Sequence, residues 1–235
     1  MEDINAISAL QDSVRRRLYE YVVAQGREVG RNEAAEAAGV ARTLAAHHLD
    51  RLTEAGLLET GSRRLTGRSG PGAGRPAKVY TRARAEKAVS LPARDYRTAA
   101  ELLAEAAEQA GLDAELRTAA RRRGEALRGS ASPCADLGEA MDVLAARGYE
   151  PHLEGSTGSP ATAAVDEPGA AAAPVVRMRN CPFHAVSERF PPLVCGMNLA
   201  LLEGLLGVDG PVRARMEARP GECCVVVEAS KNNID

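Results

Sequence analysis

Arg31-Asn-Glu-Ala-Ala-Glu-Ala-Ala-Gly39-Val40-Ala-Arg42-Thr-Leu-Ala-Ala-His-His-Leu49-Asp-Arg-Leu52-Thr-Glu-Ala-Gly56 reads as two short helices and the turn between them. The first is alanine-rich and stops at Gly39, a residue that tolerates the left-handed conformation that closes a helix. The second covers residues 42–55, expected to turn Leu44, Leu49 and Leu52 inward, and again stops at a glycine. Two helices joined through Gly39-Val40 make a helix-turn-helix pattern, in which the second helix is the one that reads DNA.

Outward from this stretch, residues 8–24 are expected to form one preceding helix. Ser8 or Asp12 would cap it, and Ile7, Leu10, Val14, Leu18, Tyr21 and Val22 lie at helical spacing. Residues 57–60 read as a short strand and residues 78–83 as a second. Between them, residues 66–76 hold six Gly or Pro among eleven and read as a loop. A strand, a flexible loop and a returning strand behind a helix-turn-helix describe a winged helix over residues 1–90. The wing is basic: from residue 60 to 87, eight Lys/Arg stand against Glu86 alone. Such a segment is drawn to phosphate backbones. The expected DNA contacts are Arg42, Thr43, His47, His48 and Arg51 on the second helix, with Arg63, Arg64, Arg68, Arg75 and Lys78 in the wing.

Composition agrees with this division. The net charge of −2 hides 15 Lys/Arg against 11 Asp/Glu in residues 1–90 and 15 against 21 in residues 91–235. A basic front on an acidic back fits a nucleic-acid reader joined to another module. Only 3% of residues are aromatic, so Ala, Leu and Val must fill the core and helices should dominate. Met-Glu-Asp-Ile is acidic and opens no apolar run of a signal peptide, and no segment reaches the roughly 18 apolar residues of a membrane span. A cytoplasmic location follows by default, with no membrane partner.

Two amphipathic stretches come next. Residues 92–110 put Tyr96, Leu102, Leu103 and Ala106 on one side, and residues 112–127 carry Arg121-Arg122-Arg123. Residues 91–130 are expected to form a helical linker and homodimer interface, since palindromic double-stranded operators are read by dimers. Residues 131–235 read as a small α/β sandwich with antiparallel pairing. It would contain a helix at 137–146 stopped by Gly148, strands at 149–153 and 175–178, and a loop of Gly, Ser, Ala and Pro at 155–174. A helix at 193–206 follows, then strands 212–217 and 223–228 joined through Arg219-Pro-Gly-Glu. The fold class is α+β.

Four of five cysteines fall in the last quarter of the chain: Cys181 in Cys181-Pro-Phe-His184, Cys195 in Leu193-Val-Cys-Gly-Met, then Cys223 and Cys224. No Cys-x2-Cys knuckle occurs, which argues against a zinc ribbon. Late thiolates in a cytosolic chain point to a metal or iron–sulfur centre rather than to disulfides. Cys195 lies close enough to a helix start for the dipole to favour its thiolate. Gly196 would let a bulky cluster approach the backbone. Cys134, isolated in Ser-Pro-Cys-Ala, reads as a small buried hydrophobe or a plainly exposed residue rather than a ligand. Adjacent residues on a strand point to opposite faces, so Cys223 and Cys224 should compete and one should be core. Three thiolates remain, Cys181, Cys195 and Cys223, with Cys224 and His184 as alternates and a fourth position unfilled. Cys-x2-His alone is no enzymatic signature, because a nucleophile and base also need an orienting group. The chain is not expected to be an enzyme.

The chain resembles the SufR group of iron–sulfur-dependent regulators, within the winged-helix repressors called ArsR-like or DeoR-like. The resemblance is carried by Arg42-Thr-Leu-Ala-Ala-His-His-Leu, by Gly74-Arg-Pro-Ala-Lys-Val-Tyr80, by Cys181-Pro-Phe-His, by Leu193-Val-Cys-Gly-Met-Asn-Leu-Ala-Leu-Leu-Glu-Gly204 and by the late Cys223-Cys224. It covers most of the chain outside the 155–174 loop. It implies a homodimeric repressor of iron–sulfur assembly (suf) genes that responds to iron or oxidative stress. Its two-iron or four-iron cluster would be held by three cysteines, mapped here onto Cys181, Cys195 and Cys223. The doubled last cysteine departs from that pattern. A zinc- or thiol-redox-sensing regulator without iron–sulfur is the alternative.

Overall fold

The computed structural model describes residues 2–63, 76–154 and 173–230. It is an α+β protein of two units, Met1–Arg94 and Asp95–Asp235. Arg64, Arg68 and Arg75, and residues 155–172 of the expected loop, lie outside the described residues.

In the first unit, α1 (Glu2–Ala9) and α2 (Ser13–Gln25) replace the single helix expected over residues 8–24. Asp12 makes the break. Its carboxylate accepts the N–H groups of Val14 and Arg15, both at 2.9 Å, which starts a new helix at Ser13. The two-residue strand β1 (Val29–Gly30) leads into α3 (Arg31–Ala38), and α4 (Arg42–Glu54) follows a turn opened by Gly39 at φ 65°. Strands β2 (Leu58–Arg63) and β3 (Ala77–Arg82) pair antiparallel, with β3 central between β1 and β2. The core is small-residue packing, Ala34, Ala35, Ala38 and Ala45 around Leu18, Val22, Leu49, Leu52 and Tyr80, as the scarcity of aromatics requires. Leu44 departs from expectation. It is 41% exposed, while Ala45, His48, Leu49 and Leu52 form the buried stripe.

The second unit opens with α5 (Tyr96–Gln109) and α6 (Asp113–Arg128), so the helices expected to be a separate linker belong to this unit. Next come α7 (Leu137–Ala145), β4 (Pro151–Glu154), β5 (Val175–Met178), the short α8 (His184–Ser187), α9 (Pro191–Leu206), β6 (Val212–Met216) and β7 (Val225–Ala229). The four strands are ordered β4-β5-β7-β6, all antiparallel. Leu144 of α7 and Leu202, Leu205 and Leu206 of α9 pack on Val176, Met178, Val225 and Val227 of the sheet.

Helix α9 starts on Pro191 and Pro192, which lack the N–H groups that a first turn cannot satisfy. It has no polar face because it is covered on both sides. One side meets the sheet. The other meets α6 with almost nothing between the backbones: a Cβ at Gly124 would lie 2.1 Å from the Leu201 carbonyl oxygen, and one at Gly204 would lie 2.2 Å from that of Arg121. Alanine at either position should gain about 1 kcal/mol of helix propensity but force the two backbones apart, at a cost typical of overpacking or above it. We expect Gly124→Ala and Gly204→Ala each to lower the stability of the full chain by about 1–3 kcal/mol, read from urea midpoints. A midpoint at or above that of the unsubstituted chain would contradict the tight crossing.

Candidate functional site

Helix α4 presents Arg42, Thr43, Leu44, His47 and Arg51 to solvent. Thr43, His47 and Arg51 are four residues apart and so share one face. Arg51 pairs with Glu54 at 3.0 Å, with both side chains more than half exposed, a contact that a competing anion displaces easily. The helix is fixed from behind by Asp50. Its carboxylate accepts the Tyr80 hydroxyl and the Lys78 ammonium, each at 2.7 Å, and Arg31 at 3.2 Å. Burial raises the Asp50 pKa, but Lys78 and Tyr80 outweigh it and the carboxyl is held below its ordinary value. Tyr80, fully buried at the centre of the hairpin, is pushed up to about 12 by burial and by Asp50. Lys78 is thus engaged within the unit, and Arg63 lies 3.6 Å from Glu28 at the end of β2.

His48 does not join the exposed face. It is 8% exposed and its Nδ1 has no hydrogen-bond partner. It sits one turn from Ala45 and Leu52 on the buried stripe, so it leaves the set of expected DNA contacts.

The cysteines come from three segments. Cys181 begins the turn into α8, and its carbonyl accepts the His184 N–H at 3.0 Å. Cys195 lies in the second turn of α9. Cys223 and Cys224 end the loop before β7, and neither belongs to the strand. This corrects the expectation that strand alternation would separate them. The backbone bends at Cys224, and the pleat that would send neighbours to opposite faces begins only at Val225. Cys223 is anchored by its N–H to Met178 O at 2.9 Å, and the Cys224 carbonyl accepts Glu217 N–H at 2.8 Å.

Both thiols therefore enter one group. Cys181 interacts with Cys223, Cys223 with Cys224, and Cys224 with Cys195, a row whose ends, Cys181 and Cys195, also interact. Among the described residues, no three His, Cys, Asp or Glu side chains are gathered to enclose one metal ion. Electrostatics within the row are uneven. Neighbouring Cys181 and Cys224 hold the Cys223 pKa down despite burial. Cys223 and burial push Cys181 and Cys224 up, and Cys195 adds to the rise at Cys224. Backbone N–H groups of Phe183 and Val225 also reach the sulfurs of Cys181 and Cys223.

Two residues at this site went unremarked in the sequence. Asn198, fully buried, donates Nδ2–H to Cys223 Sγ at 3.4 Å and accepts the Tyr149 hydroxyl on Oδ1 at 2.5 Å. The available signal was an amide in an otherwise apolar helix, three residues after Cys195. The cysteine loop is also held on the outer face of the sheet. There Arg177, 2% exposed, binds Glu154 at 2.5 Å, binds Glu217, and lies 3.9 Å from Glu222.

The remaining candidates lie elsewhere. His184 is 63% exposed and faces Glu188 at 3.3 Å, turned to solvent rather than into the row. Cys134 is buried, with its N–H on Leu206 O at 2.9 Å and its pKa raised by burial, which selects the core reading over the exposed one. Gly196 faces α6 rather than the thiols: a Cβ there would lie 3.0 Å from Arg117 Nε. No helix among the described residues is long and apolar enough to cross a membrane. Compared with protein-family models, with curated proteins and with solved structures, the chain gave no match.

Burial of His48 has a consequence for stability. Its pKa lies below its ordinary 6.5, because burial disfavours the charged ring more than Asp12 favours it. The unfolded chain therefore binds this proton first as the pH drops. The stabilisation is full above about 6.5 and is lost as the pH falls through the folded value. His152, depressed by burial in the second unit, adds a slope of the same sign. Melting temperature should fall between pH 7.5 and 5, and His48→Leu should flatten part of that fall. An unchanged slope in the variant would mean that His48 titrates normally.

Proposed function

We propose that this chain is a DNA-binding regulator whose first unit is a winged helix-turn-helix and whose second unit carries an iron–sulfur cluster on Cys181, Cys195, Cys223 and Cys224. The observation that carries the reading is the row of four thiols, drawn from three segments of chain and interacting in sequence. A polynuclear cluster accepts thiolates spread over several metal atoms. The surroundings fit as well: N–H groups of Phe183, Val225 and Asn198 point at the sulfurs, and such donors are among the features that tune a cluster. The ligand set differs from the three cysteines implied by the resemblance, because Cys224 supplies the fourth thiolate and His184 is turned away. When bound, the cluster would supply redox and oxidant sensitivity.

DNA binding is supported by the order of elements, a helix-turn-helix followed by a hairpin, and by the exposed Arg42, Thr43, His47 and Arg51 on α4. Base or phosphate contact by these residues, with wing arginines on the phosphates, is the reading they favour. A homodimer on a palindromic operator is favoured by α5, which buries none of its residues and leaves Tyr96, Leu102 and Leu103 more than 60% exposed. Control of transcription then requires the cluster-loaded and cluster-free forms to differ in DNA affinity, with couplings on the order of 1–3 kcal/mol sufficient. Repression of iron–sulfur assembly genes rests on the resemblance alone. A second reading has an observation of its own. The row contains two neighbouring pairs, Cys181 with Cys223 and Cys195 with Cys224, which suits a dithiol switch in place of a cluster.

Anaerobic reconstitution with iron and sulfide should give a coloured protein with acid-labile sulfide. Serine at Cys181, Cys195, Cys223 or Cys224 should lose most of that absorption, and serine at Cys134 should not. A colourless wild type that forms two disulfides under peroxide would favour the dithiol switch instead. For the first unit, Arg42→Ala and Arg51→Ala should each weaken retention of a duplex selected from a random pool by about 1–3 kcal/mol without altering cluster content. Affinities equal to wild type would remove α4 from the interface.

A further inference from the structure

Asn198 has no reason to be polar on packing grounds. It is fully buried in a helix whose other buried positions are Leu, Val, Ala and Gly. Burying an amide without partners is costly, and a leucine would satisfy the same space. Both ends of the amide are nevertheless partnered. Its Oδ1 accepts the Tyr149 hydroxyl at 2.5 Å and its Nδ2 donates to Cys223 Sγ at 3.4 Å. This orientation is the one a thiolate requires, because the reverse would set a carbonyl oxygen against the sulfur. Tyr149 enforces it from the other end: it comes from the turn between α7 and β4, is 5% exposed, and gives its proton to the amide oxygen. Asn198 also lies three residues after Cys195, on the same side of α9. One helix thus delivers a ligand and a donor to another ligand.

Resting on the cluster reading above, we propose that Asn198, oriented by Tyr149, is a positioning residue that fixes Cys223 as a ligand and raises the reduction potential of the cluster. A hydrogen bond to a ligand sulfur stabilises the more negative, reduced state, so it favours reduction. Neither residue touches the metal atoms in this scheme. Both act through one sulfur.

The test uses the full chain, reconstituted anaerobically with ferrous iron and sulfide and titrated by its visible absorption. Asn198→Leu should keep its iron and sulfide content while its midpoint potential moves negative. At the wild-type midpoint its reduced-to-oxidised ratio should fall several-fold. Tyr149→Phe, which conserves volume and removes only the hydroxyl, should move the midpoint in the same direction by less. A loaded Asn198→Leu chain with an unchanged midpoint would overturn the proposal. If Asn198→Leu does not fold, an unmoved midpoint in Tyr149→Phe would overturn it. The relay is also read without any cluster. In the metal-free chain the Asn198 side-chain amide resonances should shift on Cys223→Ala and on Tyr149→Phe. A signal insensitive to Cys223→Ala would refute the relay, whereas a wild type that takes up no cluster but shows the shift would refute only the cluster reading.

Discussion

The backbone contact of α6 with α9 at Gly124 and Gly204 is the constraint on which the second unit depends. A Cβ at either glycine would overlap the carbonyl of the opposite helix, so the crossing exists only because neither residue has one. With α6 pressed against one side of α9, the opposite side is left to the sheet. Cys195, Asn198, Leu202 and Leu205 follow at steps of three, four and three along that opposite side. Three of these four are core or site residues in contact with Cys223 or with the cluster of apolar side chains around it. The same rotation of the helix sets Gly196 and Gly204, eight residues apart, toward α6. A helix with no polar face is a consequence, not an anomaly.

The thiol row meets a second requirement, that the chain reach the site from the sheet as well as from the helix. Strand β7 is entered through a bend, and the Cys223 N–H is fixed to the end of β5 while the Cys224 carbonyl is fixed to the residue after β6. Arg177 closes the arrangement on the far face by holding Glu154 and Glu217. A buried guanidinium is tolerable only with carboxylate partners. Here those partners sit on the strand and loop that bracket the cysteines. The charge network and the thiols therefore lie on opposite sides of the same few residues.

Much of this was legible in the sequence, and what was not failed for identifiable physical reasons. The two helices on either side of Gly39, the antiparallel β2–β3 pair and the antiparallel four-strand sheet all follow from local patterns of apolar residues, glycine and proline. Leu44 was misplaced because a helix with alanine-rich sides offers two stripes of similar hydropathy, and only the packing partners choose Ala45, Leu49 and Leu52. His48 followed that rotation inward. Asp12 broke a helix that periodicity joined, since capping is a side-chain event that a hydrophobic pattern does not register. Cys223 and Cys224 were assigned to opposite faces on the premise that both were already in a strand; a strand edge shifted by two residues removes the premise. Asn198 was missed because its partners, Tyr149 and Cys223, are 49 and 25 residues away in the chain.

Four neighbouring thiols pose an electrostatic problem that bears on what the second unit holds. Ionising a second thiol beside Cys223 sets two negative charges side by side among Tyr149, Val225, Leu202 and other buried groups, where little water screens them. In the metal-free chain, Cys223 and burial push the Cys181 and Cys224 thiols up, which opposes a second ionisation beside Cys223. Four thiolates become tolerable only when cationic metal is present to neutralise them. Filling the proposed site therefore displaces protons as well as water, and metal affinity in such sites rises with pH.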